Sequence, residues 1–138
     1  KHTLDDKKRI SLPAKFRKEM GKKIVITPGL DNCLFVFTMG QWKKISERLS
    51  QSSMLQADSR SFNRFMFGGA VEIDIDSIGR MLIPDFLIER AGLKSRVAVI
   101  GVEDRVEIWN EEAWGNYKKV VEKEADALAE KLGKVGVL

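Results

Sequence analysis

The sequence predicts an α+β fold that is mainly β, made from one structural unit that occurs twice in the chain. Three observations support this prediction: a direct internal repeat, short segments of alternating apolar and polar residues, and an amphipathic helical pattern that closes each copy. Of the 138 residues, 43% are hydrophobic and 32% are charged. This balance is sufficient for a buried core and is not typical of a disordered chain.

The internal repeat covers most of the chain. Residues 4–21 align with residues 75–92, and residues 29–42 align with residues 101–114. Chance alone would not keep aspartate, arginine, proline, glycine and tryptophan in register, so we infer a duplication. The aligned identical pairs are Asp5 and Asp76, Arg9 and Arg80, Pro13 and Pro84, Gly21 and Gly92, Gly29 and Gly101, and Trp42 and Trp114.

Each copy begins with a predicted strand, residues 1–4 or 71–75, followed by a polar turn. The turn reads Asp-Asp-Lys-Lys in the first copy and Asp-Ser-Ile-Gly in the second. We expect Asp5 and Asp76 to close these turns by accepting hydrogen bonds from nearby backbone amides. Gly79 permits a positive φ in the second turn.

A second strand leaves each turn and ends at a proline. Alternation places Arg9 and Arg80 on the outer face of these strands. Pro13 and Pro84 suit the first position of a short helix, which ends near the glycine that both copies share. The inward-facing strand residues are Ile10, Leu12, Met81 and Ile83.

A second hairpin and a helix complete each copy. The first helix is predicted to start at a capping box, Thr38 to Gln41. Asn110 is predicted to cap the last helix, which reaches about Leu132 with an apolar stripe along one side. The predicted hairpin strands are residues 24–27 with 34–37, and residues 97–100 with 106–109.

The segment between the two copies is predicted to be a polar connector, residues 50–61, followed by a short amphipathic stretch around Phe62, Phe65 and Met66. We divide the chain accordingly. The four segments are the first unit, residues 1–45; a connecting helical and polar segment, 46–70; the second unit, 71–116; and a C-terminal helix, 117–138.

The residue sets that catalysis requires are absent from the sequence. His2 is the only histidine, so neither a histidine-based triad nor a histidine-rich metal site can be built. Cys33 is the only cysteine, which excludes an internal disulfide and agrees with a reducing cytoplasm. The acidic residues Glu72, Asp74 and Asp76 are better explained as the outer face of a strand than as a cation site. We predict that the chain is not an enzyme and uses no metal, cofactor or small-molecule substrate.

Charge is distributed unevenly along the chain. The net charge is +4, and residues 1–23 carry nine Lys and Arg against three Asp and Glu. Residues 103–138 carry six against nine. A basic first part with an acidic last part indicates a surface that faces a polyanion, although the solvated surface of a basic protein explains the charge equally well. No stretch approaches the ~20 apolar residues of a membrane helix, so we expect no membrane partner.

The D-x-x-x-R turn of each copy is the candidate functional motif. Its arginine can contact guanine edges or phosphate, with further cations on the turn and on the helix behind it. Alternatively, the aspartate and the arginine pair only with each other and lock the turn. The predicted DNA-binding residues are Arg9, Lys7, Lys8, Arg80, Lys15 and Arg17, and the predicted turn-structuring residues are Asp5 and Asp76.

The motifs LDDKKRISLPAKFR and IDIDSIGRMLIPDFL, about seventy residues apart, closely resemble those of the MraZ family. The resemblance implies a double split β-barrel from two AbrB-like swapped-hairpin units, and ring-shaped homo-oligomers. It also implies a cytoplasmic, nucleoid-associated regulator, often a repressor, that binds short direct repeats of double-stranded DNA upstream of the division and cell-wall genes. The DNA-contacting arginine of the family corresponds to Arg9, with Arg80 as its match in the second copy. One departure is Lys8, where the family usually has glycine.

The rival function is that of an AbrB-like antitoxin, a protein-binding module that neutralises a partner. Such antitoxins usually have one unit and a flexible acidic tail, whereas this chain has two units and an apolar-striped C-terminal segment. We also expect the first copy to dominate DNA binding, because Lys15, Arg17 and Lys18 would lie on the helix behind its basic turn.

Overall fold

The computed structural model describes residues 2–138, which form eight strands and five helices. The strands are β1 (His2–Thr3), β2 (Arg9–Ser11), β3 (Lys23–Pro28), β4 (Leu34–Thr38), β5 (Val71–Asp74), β6 (Arg80–Leu82), β7 (Arg96–Val102) and β8 (Arg105–Asn110). The helices are α1 (Ala14–Met20), α2 (Met39–Ser50), α3 (Ala57–Gly69), α4 (Asp85–Arg90) and α5 (Glu111–Lys134).

The two copies of the repeat interleave. Among the named strands of residues 2–138, β3–β4 and β7–β8 pair within one copy, and a single bridge joins Leu4 to Ile10 in the first copy. Every other strand pairing crosses between the copies: β1 with β7, β5 with β3, β4 with β8, and β2 with β6. These pairings are unchanged when the copies are exchanged, so the fold has an approximate twofold axis. The result is a curled six-stranded half-barrel in the order β1-β7-β8-β4-β3-β5, and a separate two-stranded sheet, β2–β6.

One central core is shared by both copies. The inner side chains of β2 and β6 pack onto the inner face of the six-stranded sheet, so the central core combines residues of both copies. Alternation along the strands supplies this arrangement, because every second residue points inward. The fully buried members include Ile10, Leu12, Ile24, Ile26, Leu34, Val36, Met81, Ile83, Leu87 and Ile108.

A second apolar layer covers the outer face of the six-stranded sheet. Phe35, Phe37 and Trp109 point away from the central core and pack against side chains of α2, α3 and α5. Both faces of the central strands are therefore buried, which explains their nearly continuous apolar sequence. No helix within residues 2–138 is long and apolar enough to cross a membrane.

The predicted N-cap residues, Thr38 and Asn110, are confirmed at both closing helices. The Gln41 amide donates to Thr38 Oγ1 at 3.0 Å, and the Ala113 amide donates to Asn110 Oδ1 at 3.0 Å. The two prolines, however, lie one residue earlier than predicted. Pro13 and Pro84 have extended ψ values of 142° and 144° and precede their helices. The strand geometry continues through them because the amide just before each proline is still paired across the copies.

The predicted polar connector is only partly correct. Helix α3 starts at Ala57, well inside the segment predicted to be connector, and continues to Gly69. Phe65 and Met66 pack into the outer apolar layer, and this packing stabilises a helix whose first turns are polar. Helix α2 continues to Ser50 and α5 continues to Lys134.

Candidate nucleic-acid interface

The two-stranded sheet β2–β6 brings the two motif arginines to one surface. Arg9 lies opposite Leu82, and Arg80 lies opposite Ser11. Since residues on one face of a strand recur at every second position, these four side chains share the outward face. We call them the outer ribbon face. Arg9 and Arg80 are diagonal neighbours on it, a relation that places two residues roughly 7–8 Å apart.

The turn before each arginine is closed by its aspartate. Asp5 Oδ1 accepts hydrogen bonds from the amides of Lys7 (2.9 Å) and Arg9 (2.8 Å), and Asp5 Oδ2 accepts one from Arg9 Nε at 2.9 Å. The second turn repeats this geometry. Asp76 Oδ1 accepts from the amides of Ile78 and Arg80, and Asp76 Oδ2 accepts from Arg80 Nε at 2.7 Å.

These hydrogen bonds favour the ionised aspartates. The pKa of Asp5 lies below its ordinary value because the Arg9 amide, the Arg9 side chain and the Lys7 amide all stabilise the carboxylate. The pKa of Asp76 is lowered in the same way, chiefly by the Arg80 amide. Each turn therefore contains an aspartate held in the charged form and an arginine held against it.

The aspartate–arginine pair also orients the guanidinium. Each arginine contacts its aspartate through Nε, and within residues 2–138 its two Nη atoms donate no hydrogen bond. The side chains of Arg9 and Arg80 are 26% and 30% exposed. The turn-locking role and a ligand-binding role are thus compatible, because the pair uses one edge of the guanidinium and leaves the donors at its end free.

The two turns have the same backbone conformation although their sequences differ. Lys8 has a φ of 64°, and Gly79, at the corresponding position, has a φ of 82°. The Lys8 carbonyl accepts from the Ile83 amide at 2.9 Å, and the Gly79 carbonyl accepts from the Leu12 amide at 2.8 Å. Each turn is therefore bound to the strand end of the other copy, and a lysine adopts the left-handed conformation expected for glycine.

Interleaving places each turn beside the helix of the other copy. Lys8 Nζ forms an ion pair with Asp85 of α4, so the first turn lies against a helix of the second copy. Arg17 of α1 donates through Nε to the Leu12 carbonyl at 2.8 Å. It packs so closely on the second turn that a Cβ added to Gly79 would lie 2.6 Å from its Nε. The expectation that Arg17 lies behind the first turn is wrong, because the strand exchange moves α1 to the second.

The remaining predicted cations point in different directions. Lys7 is exposed at the tip of the first turn. Lys15 has its Nζ 5.0 Å from the ring centre of Phe16 and lines a cleft with Glu19 and Glu103. Of the six predicted DNA-binding residues, Arg9 and Arg80 lie on the outer ribbon face, whereas Lys7, Lys8 and Arg17 flank it.

One edge of the outer ribbon face is acidic. Glu72 and Asp74 are exposed on β5 and lie 3.9 and 3.8 Å from Lys23 Nζ. Together with Leu82 and Pro84 they line a shallow groove. Within residues 2–138 no three His, Cys, Asp or Glu side chains are arranged to hold a metal ion.

Three residues near the arginines were not singled out by sequence analysis. Ser11 and Leu82 lie on the outer ribbon face, and Asp85 pairs with Lys8. The alternation that predicted the outward position of Arg9 and Arg80 also applies two residues later in each strand, so it could have identified Ser11 and Leu82. Asp85 could not be identified in this way, because its contact with Lys8 depends on the strand pairing between the two copies.

The fold and the outer ribbon face define a class: a small interleaved β protein that presents two oriented arginines on a two-stranded ribbon. Comparison with known proteins gives the family. Residues 1–65 and residues 66–134 each match the family model described as "MraZ protein, putative antitoxin-like". The chain belongs to the MraZ family, as its paired motifs indicate.

Individual relatives agree with this assignment. The chain is 47% identical over 131 residues to the transcriptional regulator MraZ of Caldanaerobacter subterraneus subsp. tengcongensis, which covers 95% of this chain and 92% of the relative. The protein of the same name from Moorella thermoacetica gives the same identity and coverage. That of Thermoanaerobacter sp. strain X514 is 45% identical over 136 residues, with 99% and 95% covered. These relatives are transcriptional regulators rather than enzymes, so the chain is a transcription regulator, and the prediction that it is not an enzyme is confirmed.

Proposed function

We propose that this regulator binds double-stranded DNA by inserting the β2–β6 ribbon into the major groove. The observation that carries the proposal is the presence of Arg9 and Arg80 on one outward face, each with free Nη donors. The major groove of B-DNA admits a two-stranded ribbon, and an arginine with two free donors matches the O6 and N7 acceptors of guanine. The aspartate behind each arginine reduces the conformational freedom that binding would otherwise remove.

We expect the flanking cations to contact phosphates on both sides of the groove. Lys7 lies at one end of the ribbon, and Arg17 lies beside the turn at the other end. Lys8 forms an exposed ion pair with Asp85. A phosphate can replace Asp85 as the partner of Lys8 at small energetic cost. Phosphate neutralisation supplies most of the non-specific affinity, whereas the two arginines supply sequence preference.

Strand exchange and the exposed end of α5 bear on how the chain assembles and which DNA it binds. The exchange of strands between copies agrees with a double split β-barrel built from swapped hairpins. The far part of α5 exposes Val120, Leu128 and Leu132, which supports contact with a second copy of the chain. We propose a ring-shaped homo-oligomer in the cytoplasm, associated with the nucleoid. It binds spaced direct repeats upstream of the division and cell-wall genes and represses its own operon.

Spaced repeats follow from the size of the ribbon. A single outer ribbon face offers only a few side chains to the bases, which limits the specificity of one subunit. Linked subunits that bind several repeats at once multiply both affinity and discrimination. We expect affinity to increase from one repeat to two and to three. Equal affinity for the three duplexes would contradict this part of the proposal.

The rival function is an antitoxin-like module that binds a protein partner, and the family description itself contains that term. Affinity purification of the chain from its native host distinguishes the two. A stoichiometric protein partner that survives nuclease treatment would favour the rival function. Nuclease-sensitive material enriched in one upstream region would favour the DNA regulator.

The direct test is a footprint on the DNA upstream of the gene that encodes the chain. Wild-type protein is expected to protect evenly spaced repeats, and Arg9→Ala is expected to abolish this protection at concentrations that suffice for the wild type. Lys44→Ala is the matched control, because Lys44 is an exposed cation on α2, on the opposite side of the six-stranded sheet from the ribbon. Unchanged protection by folded Arg9→Ala would contradict the proposed interface.

A further inference from the structure

The outer ribbon face is not symmetric in chemistry, although its backbone is. Arg9 lies opposite Leu82, whereas Arg80 lies opposite Ser11. Leu82 and Ser11 occupy corresponding positions of the two copies, each two residues after the arginine. One end of the face therefore pairs a guanidinium with a large apolar side chain, and the other end pairs it with a hydroxyl.

Leu82 is not needed by the core. Its neighbours Met81 and Ile83 are 0% and 1% exposed, whereas Leu82 is 57% exposed. An apolar side chain that stands in water beside an arginine gains free energy when a ligand covers it. The carboxylates of Glu72 and Asp74 lie on its other side, across the shallow groove. Lys23 lies 3.9 and 3.8 Å from these carboxylates and offsets one of the two charges. The remaining negative charge disfavours a phosphate at this edge, so Leu82 is better placed to meet the base edges than the DNA backbone.

We propose that Leu82 determines specificity by packing against the C5 methyl group of a thymine next to the guanine that Arg9 contacts. This inference rests on the proposed function. Directly opposite residues of an antiparallel pair have Cβ atoms about 4.5–5.5 Å apart, so the two side chains reach neighbouring base pairs. Thymine is the base that offers an apolar group in the major groove, and apolar side chains recognise it there.

The chemical asymmetry of the outer ribbon face affects the symmetry of the operator. A ribbon with identical ends would bind a palindromic element equally well in both directions. The Leu82 end requires thymine beside guanine, whereas the Ser11 end makes no such demand because a hydroxyl accepts several base edges. Each ribbon therefore has a preferred direction on the duplex, which suits repeats that all point the same way.

The test uses deoxyuridine, which is thymidine without the C5 methyl group. A duplex carrying one repeat is selected from a random pool with the full-length protein, and each thymine is then replaced singly by deoxyuridine. One replacement is expected to weaken wild-type binding about fourfold, the factor expected for one lost methyl-sized contact. Leu82→Ser is expected to bind the thymine and deoxyuridine duplexes equally. Ile78→Ser is the matched control, because Ile78 is also exposed (58%) but lies in the turn, and it should retain the fourfold difference.

The neighbouring guanine is identified with 7-deazaguanine, which lacks the N7 acceptor. When 7-deazaguanine replaces the guanine next to the sensitive thymine, DNA binding by the wild type should weaken, whereas DNA binding by Arg9→Ala should not change. The inference is overturned if the selected repeat has no thymine beside that guanine, if no thymine is sensitive, or if Leu82→Ser keeps the sensitivity. Failure of the proposed function has a different signature, because the wild type would then select no preferred sequence at all.

Discussion

The two copies of the repeat share a backbone but differ in their surroundings. Lys8 and Gly79 have the same left-handed conformation, and the carbonyl of each accepts a hydrogen bond from the other copy. The first turn carries its own lysines and lies beside α4, whereas the second turn is uncharged at its tip and lies beside Arg17 of α1. The exchange of strands therefore spreads positive charge over both ends of the ribbon. The positive charge around the ribbon therefore depends on how the two copies pair, and the sequence of one copy does not determine it.

This comparison changes one expectation from the sequence. The first copy was expected to dominate DNA binding because its turn and its helix are both basic. In the folded chain, Arg17 of that helix supports the second turn, and Lys8 is partly neutralised by Asp85. We therefore expect Arg9 and Arg80 to contribute similarly to DNA binding.

The largest effect is expected when both ribbon arginines are removed. The double variant Arg9→Ala/Arg80→Ala should lose most of its sequence preference and retain mainly salt-sensitive, non-specific binding, because the flanking cations remain. Each single variant should lose roughly 1–3 kcal/mol on a one-repeat duplex. The measurement is binding affinity for the operator and for a scrambled duplex. If the double variant prefers the operator as strongly as the wild type does, side chains other than the two arginines supply most of the sequence preference.

The closing helices of the two copies also differ, and a substitution there should change assembly. Helix α2 is followed by α3, which packs back on the sheet, whereas α5 extends beyond the sheet with Leu128 and Leu132 exposed. Leu128→Glu should reduce the mass measured by light scattering without changing the circular dichroism spectrum, because it places a charge in the expected contact. Lys123→Glu on the same helix is the control. A wild-type mass of 15.6 kDa, that of the monomer, would contradict the ring.

The two turns should respond differently to substitution of their left-handed residue. Gly79→Ala adds a Cβ 2.6 Å from Arg17 Nε at a φ of 82°, so it should destabilise the fold by about 1–2 kcal/mol. Lys8→Gly relieves strain at a φ of 64° but loses an exposed ion pair, so its net effect should be close to zero. Urea denaturation measures both. If Lys8→Gly destabilised the fold as much as Gly79→Ala, the left-handed conformation of Lys8 would carry no strain for glycine to relieve, which would contradict this expectation.

Cations at the two ends of the ribbon should contribute equally to the salt dependence of DNA binding. Lys7→Ala and Arg17→Ala should each lower the slope of log affinity against log salt by about 0.9, if each residue neutralises one phosphate. Lys44→Ala should leave the slope unchanged. A reduced slope for Lys7→Ala alone would restore the view that the first copy dominates.

The smallest effect is expected when acid removes the contribution of the two turn aspartates to the stability of the fold. The lowered pKa of Asp5 and Asp76 means that the folded turns favour the carboxylate more than the unfolded chain does. Their contribution to stability is therefore present above the ordinary pKa of 3.8 and is lost as the pH falls through the lowered value. The difference in urea midpoint between the wild type and Asp5→Asn should be present at pH 7 and should shrink below about pH 4. A difference that is constant with pH would show that the carboxylate charge is unimportant.

Local features of the fold could be predicted from the sequence. Alternation predicted that Ile10 and Met81 point inward, and capping residues predicted the starts of the closing helices, because both depend on neighbours in the chain. The prolines were misplaced by one residue because strand pairing with the other copy extends the backbone through them. The start of α3 was missed because packing on the outer apolar layer outweighs its polar composition.

The composition of the candidate site was less predictable. Arg9 and Arg80 were identified from their motif, but their position on one face depends on a register between strands 71 residues apart in sequence. The same long-range pairing decides that Arg17 supports the second turn and that Lys8 meets Asp85. Sequence patterns describe the faces of a strand, whereas the identity of its neighbour depends on the whole fold.

The central claim is that the two copies build one interface, and binding to a duplex with a single repeat tests it most directly. If Arg9 and Arg80 lie on one ribbon, then Arg9→Ala and Arg80→Ala should each weaken binding to that duplex, and by similar factors. If the copies instead bind DNA as separate sites, one of the two folded variants should bind the single repeat as tightly as the wild type. That result would contradict the account.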